Sequence, residues 1–121
     1  MIRQAELEAQ RRLTVAFIEA DPIEVQLTRI SHTPDGAGGY TQSSANVGGL
    51  QRLRLIPLAD GAEERTTADG RAVTPRYMLV GTYLSDIERW DEFIFSDTRY
   101  QIVFVNQNRQ YEVKGEVAYL A

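Results

Sequence analysis

The chain has 121 residues, room for one domain core, and its 43% hydrophobic and 25% charged content excludes collagen-like, wholly disordered and disulfide-scaffold classes. With no cysteine, disulfides, thiolate nucleophiles, iron–sulfur clusters and cysteine zinc sites are all excluded. A formal net charge of −4 argues against a protein whose main work is coating phosphate backbones. No run approaches the roughly 18 apolar residues of a spanning helix. The N-terminus also has no basic stretch followed by an apolar segment, so neither membrane insertion nor signal-directed secretion is expected.

Leu7, Leu13 and Phe17, with small Ala5, Ala9 and Ala16, recur at spacings near three and four, between Glu6, Glu8, Arg11, Arg12 and Glu19. That period predicts an amphipathic helix over residues 2–20. The early glutamates suit the positive end of its dipole, and Asp21-Pro22 stops it, because the residue before proline is pushed out of the helical region. The expected organisation is one domain over 1–121: a helical segment 1–21, then a β domain 22–121.

At Ile23 the period changes to two, with Ile23, Val25 and Leu27 set against Glu24, Gln26 and Thr28. Residues 31–49 then lose apolar periodicity and carry His32, Pro34, Asp35-Gly36, Gly38-Gly39 and Gly48-Gly49, which predicts a long mobile loop. Leu53 and Leu55 against Arg52 and Arg54 predict a strand ended by Pro57. A second polar loop is expected over 57–75, where Asp60-Gly61 lies near its start and Asp69-Gly70 has the chemistry to tip a short hairpin. Strands are predicted at 76–84, 92–95 and in two closing segments, with turns at 85–91, 96–98 and 106–110. Tyr100, Ile102 and Phe104 are expected on one face of the first closing strand, and Tyr111, Val113, Val117 and Tyr119 on one face of the second. The fold class is mainly β: a small antiparallel barrel or sandwich-like domain with an N-terminal helix and two long polar loops.

No assembled chemistry emerges. His32 is the only histidine, with no cysteine or second histidine to complete a zinc site or a nucleophile–base pair, and it reads as a solvated loop residue. Ser43-Ser44 lies outside any Gly-x-Ser-x-Gly turn, and residues 35–39, though glycine-rich, lack the Lys-Ser or Lys-Thr pair of a phosphate loop. Asp86, Glu88, Asp91 and Glu92, with Asp97 nearby, fit no EF-hand spacing and read as a solvated, ion-paired turn around Arg89 and Trp90. Arg52, Arg54, Arg65, Arg71 and Arg76 near Tyr77 and Tyr83 form the most basic segment, which Asp60, Glu63, Glu64 and Asp69 offset. No catalytic residue, cofactor or metal is assigned, and the chain is read as a non-enzyme.

The order of features resembles the head-to-tail stopper proteins (head completion, or head–tail joining) of long-tailed double-stranded DNA bacteriophages, particularly those of actinobacterial hosts. The resemblance is carried by Asp21-Pro22 leading into residues 23–30, by Asp35-Gly36-Ala37-Gly38-Gly39, and by residues 51–56. It continues through residues 77–81, Asp86-Ile87, Trp90-Asp91-Glu92-Phe93, residues 100–105 and residues 111–117. One departure stands out: where the family pattern has a glycine ahead of the aspartate, this chain has Trp90.

The resemblance implies a β-barrel-like subunit of the virion neck, assembled in the host cytoplasm. It would form a homo-oligomeric ring below the portal and its adaptor, close the DNA exit channel after packaging, and offer a docking surface to a tail terminator or tail tube. It would lie close to packaged DNA without reading its sequence. On that footing Asp35, Gly36, Gly38, Gly39 and Tyr40 are the candidate channel loop, chosen for their glycine content, and Glu63, Glu64 and Arg65 the candidate ring-contact loop, chosen for their charge run. The alternatives are another neck component such as a tail terminator, or a stand-alone small barrel that binds nucleic acid or peptide.

Overall fold

The computed structural model describes residues 3–58, 63–107 and 109–120, with backbone only at residues 32 and 33. Among these the chain forms one helix and ten strands: α1 (Gln4–Ala20), β1 (Ile23–Val25), β2 (Thr28–Pro34), β3 (Tyr40–Asn46), β4 (Gln51–Pro57), β5 (Arg65–Thr66), β6 (Ala72–Val73), β7 (Tyr77–Thr82), β8 (Glu92–Phe95), β9 (Thr98–Asn106) and β10 (Glu112–Tyr119). Eight of them make one antiparallel sheet in the order β1-β4-β7-β10-β9-β8-β2-β3, strongly curled into a half-barrel. Only Gln26 and Leu27 separate β1 from β2. The chain therefore leaves β4 along β1 and arrives at β8 along β2, linking the two flanks of the curl.

Alternation decides what is buried. Val25, Leu27, Val47, Leu53, Leu79, Ile87, Phe93, Ile102, Val113 and Val117 meet inside the curl. Phe93 stacks on Tyr100 with ring centres 5.2 Å apart, and Tyr77 and Tyr119 meet the same tyrosine edge-on. Gly81 leaves room for the Ser85 side chain and a Leu53 methyl, a space that any Cβ would fill. Between β8 and β9, Ser96 and Asp97 both take positive φ (50° and 61°), as a two-residue hairpin of matching twist requires.

Three expectations are corrected. First, the helix ends at Asp21 as predicted but buries Leu7, Thr14 and Ile18, whereas Leu13 and Phe17 stay 69% and 41% exposed. Helical spacing placed the apolar side chains on more than one side of the helix, and the contacts with β4 and β7 selected which side is covered. Second, Phe104 does not continue the face of Ile102. The β9–β10 register slips, with Glu116 opposite Phe104 and Val117 opposite Ile102, so Val103 is an extra residue. This bulge turns Phe104 outward and puts Val105 on the core instead. Third, residues 31–49 are mostly strand: β2 and β3 form a regular hairpin in which Thr28 faces Asn46 and Pro34 faces Tyr40. The second polar segment does contain the short hairpin at Asp69-Gly70, formed by β5 and β6 with Gly70 at φ 88°. Asp60-Gly61 lies outside the described residues. No described helix is long and apolar enough to cross a membrane.

Candidate functional site

The β2–β3 hairpin is an arm. Its pairing to the rest of the sheet is a single register position, Thr28 opposite Glu92 of β8, after which both strands run on together. All seven residues of β3 are exposed. A two-stranded ribbon wetted on both faces is marginal in water by itself, so its shape depends on how its two ends are held.

At the base the hold is ionic. Arg29 forks onto Asp91, with Nε 3.0 Å from Oδ1 and Nη2 2.9 Å from Oδ2, and Nη2 also reaches Asp86 at 3.0 Å. Glu88 lies 3.3 Å from Arg29 Nε. Asp91 is fully buried, and its Oδ2 also accepts the Glu88 N–H. The hydrogen bond to Asp91, with Asp86 and the nearby charges, holds the Arg29 guanidinium well above its ordinary pKa against the opposing effect of burial. The carboxylates at 86, 88 and 91 thus converge on a guanidinium, while Glu92 pairs with Arg99 at 2.7 Å. Among the described residues no group of acidic or histidine side chains is arranged to hold a metal.

At the tip the hold is an aspartate. Asp35 Oδ1 accepts the N–H groups of Ala37 (2.8 Å) and Gly39 (3.1 Å), and the Asp35 N–H donates to the Gly39 carbonyl. Gly36 and Gly38 stand at φ 81° and 88°, where side chains are strained. The candidate channel residues Asp35, Gly36, Gly38, Gly39 and Tyr40 are therefore brought together as an ordered turn, with Tyr40 opening β3 and 71% exposed. The glycines serve this turn geometry. The His32 side chain lies outside the described residues, and its backbone belongs to β2 opposite Gln42.

The second candidate loop lies against β9 and β10, on the side to which Phe104 is turned. Arg65 is ion-paired to Glu116 (3.0 Å) and Glu63 (3.4 Å) and lies over the Phe104 ring at 3.9 Å, covering the side chain that the bulge turned outward. Glu63 and Glu64 are exposed. Thr67 donates to Asp69, which lowers the Asp69 carboxyl from its ordinary value, and Gln101 accepts the Ala68 N–H. The indole N–H of Trp90 reaches the Thr66 carbonyl at 3.3 Å, clipping this hairpin to the β7–β8 turn.

Trp90 itself takes φ 74°, the left-handed region that glycine occupies freely. The turn keeps the backbone that a glycine would give, while the indole adds the clip and the ring beneath Arg89. Trp90→Gly and Trp90→Ala both lose the indole, but only alanine retains the strain. The glycine variant should be the more stable of the two by about 1 kcal/mol in chemical denaturation.

Three arginines of the basic segment, Arg52, Arg54 and Arg65, are engaged within the fold, while Arg71 and Arg76 are exposed. Arg52 pairs with Glu19 and Glu24, and Arg54 stacks on Phe17 and donates to its carbonyl. Tyr83 is covered by Arg11, and Tyr77 packs against the core. Arginine–aromatic contacts lock the helix to the barrel at both of these places. Sequence reasoning missed Arg29, which looked like one polar residue in a strand, and it missed β3. The signal for β3 was the pair of turn glycines between two β-tolerant stretches.

Scanned against protein-family models, the chain matches none, and no curated protein is significantly similar to it.

Proposed function

We propose that the chain is a structural connector subunit of a phage neck, forming a ring below the portal and adaptor that closes the DNA channel after packaging and receives the tail. One observation carries the reading: a small curled barrel extends an ordered, uncharged-edged hairpin arm well beyond its own core, with a glycine turn at the tip. Such an arm does little for the stability of its own barrel. Repeated around an axis, copies of it would obstruct a pore through many weak contacts acting at high effective concentration. The tip at Asp35–Tyr40 is the part assigned to the channel, and Glu63, Glu64 and Arg65 are assigned to a neighbouring ring.

The reading is tested by deleting residues 36–39 in the phage. Assembled heads should then lose packaged DNA while the purified variant retains the barrel's unfolding transition; particles that hold their genome normally would refute the channel assignment. The stand-alone nucleic-acid module is the alternative from another class. Arg52, Arg54 and Arg65 are each engaged with carboxylates or an aromatic ring, which leaves that reading less support.

A further inference from the structure

Among the described residues nothing pairs with the outer edge of β3, and the strand's sequence has none of the usual protection. Edge strands normally carry a lysine, an inward-pointing charge, a proline or a bulge that discourages pairing with another chain. β3 reads Tyr-Thr-Gln-Ser-Ser-Ala-Asn, with no charge and no proline, at one end of the sheet order, in unbroken register with β2.

The register shows which backbone groups are free. In the β2–β3 ladder the Asp35 N–H donates to the Gly39 carbonyl and the Val47 N–H to the Leu27 carbonyl, so the odd-numbered pairs exchange the ladder's hydrogen bonds. The even-numbered residues point their N–H and C=O groups outward. Thr28 does so on the β2 side, where it meets Glu92 of β8. On β3 the outward set is Tyr40, Gln42, Ser44 and Asn46.

We propose that β3 pairs with β3 of a second copy of this chain, antiparallel about a two-fold axis at Ser43. That register sets Tyr40 opposite Asn46 of the other copy and Gln42 opposite Ser44. Every outward N–H and C=O of the strand then has a partner, and no like charges are opposed. Pairing β3 with the outer edge of β2 in a neighbour is poorer. There Thr28 is already used by β8, and Pro34 has no N–H to give, leaving only the backbones of residues 30 and 32 complete. The self-pairing joins two marginal ribbons into one four-stranded sheet. This inference rests on the hairpin's geometry and not on the neck reading; the paired arms carry their tips in opposite directions, so the dimer is the state of the free chain and has to part before arms converge in a ring.

Sedimentation velocity on the purified full chain tests it. The wild-type protein should sediment as a dimer at tens of micromolar. The double variant Gln42→Lys/Ser44→Lys, which sets lysines opposite one another across the two-fold axis, should sediment as a monomer, as should Gln42→Glu/Ser44→Glu. An equimolar mixture of the two variants should restore the dimer. Ser44→Pro, which removes an outward N–H and no ladder bond, should also give a monomer with an unchanged unfolding transition. A wild-type protein that is monomeric throughout, a dimer indifferent to the lysine pair, or a mixture that stays monomeric would each overturn the proposal.

Discussion

Replacing Arg29 with alanine should lower the unfolding free energy by about 2–4 kcal/mol, because it leaves the buried Asp91 carboxylate without its counter-charge while the desolvation of that group remains. The loss should persist in high salt, since Asp91 is out of reach of the screening that weakens exposed pairs. Arg29→Lys should recover only part of it: an ammonium cannot reproduce the fork onto both Asp91 oxygens together with the bond to Asp86. Amide exchange gives the local readout. Residues 28–46 should lose protection in Arg29→Ala beyond the global change, because the guanidinium ties the root of the arm to the β7–β8 turn. Equal stability of the alanine variant and the wild type in urea would show that the cluster does not hold the arm.

The second large effect is expected in the aromatic core. Phe93 is almost fully buried, lies on β8 beside the root of the arm, and stacks on Tyr100. Phe93→Ala removes the ring and leaves a cavity between β8, β9 and β7, at a cost of about 3–5 kcal/mol. For a domain of this size that corresponds to a fall in melting temperature of roughly 10–20 °C. Phe93→Leu keeps most of the volume and should cost less than half as much. A thermal scan of the three proteins checks the order wild type, leucine, alanine; an alanine variant melting within a few degrees of wild type would mean that the sheet is not closed around this ring.

What the sequence made legible follows from where a face is buried. β7, β8, β9 and β10, the Ser96-Asp97 turn and the hairpin at Asp69-Gly70 were readable because one side of each strand faces the core, or because the turn residues carry their own signal. The arm was not readable. Both of its faces are wet, so β2 and β3 have no apolar alternation beyond Ile30, and Ser, Thr, Gln and Gly suggested a loop. Phe104 was misplaced because one bulge at Val103 shifts the alternation by a residue, a change that leaves no mark in composition. In the helix, Leu13 and Phe17 were as apolar as Ile18, and the choice of face was made by β4 and β7, far along the chain. The acidic turn was read as solvated and ion-paired within itself; ion-paired it is, but Asp91 is fully buried and its partner Arg29 lies 62 residues away, a distance no local pattern spans.

The same limits apply to the candidate site. The glycine turn was visible and its residues do come together, as a tip hydrogen-bonded to Asp35 between two strands and not as part of a long loop over residues 31–49. Arg65 was visible as a charge, whereas its place over Phe104 depended on the bulge. In both cases the residue type was correct and the tertiary partner supplied what it does.

The central claim is that this chain is a neck subunit whose arms converge on the DNA channel. An image reconstruction of the virion neck, with a small tag inserted between Gly38 and Gly39, tests it most directly. The account predicts a ring of this chain directly below the portal and adaptor, with tag density on the axis of the channel. A neck fully accounted for by other chains, or tags displayed on the outside of the collar, would contradict it.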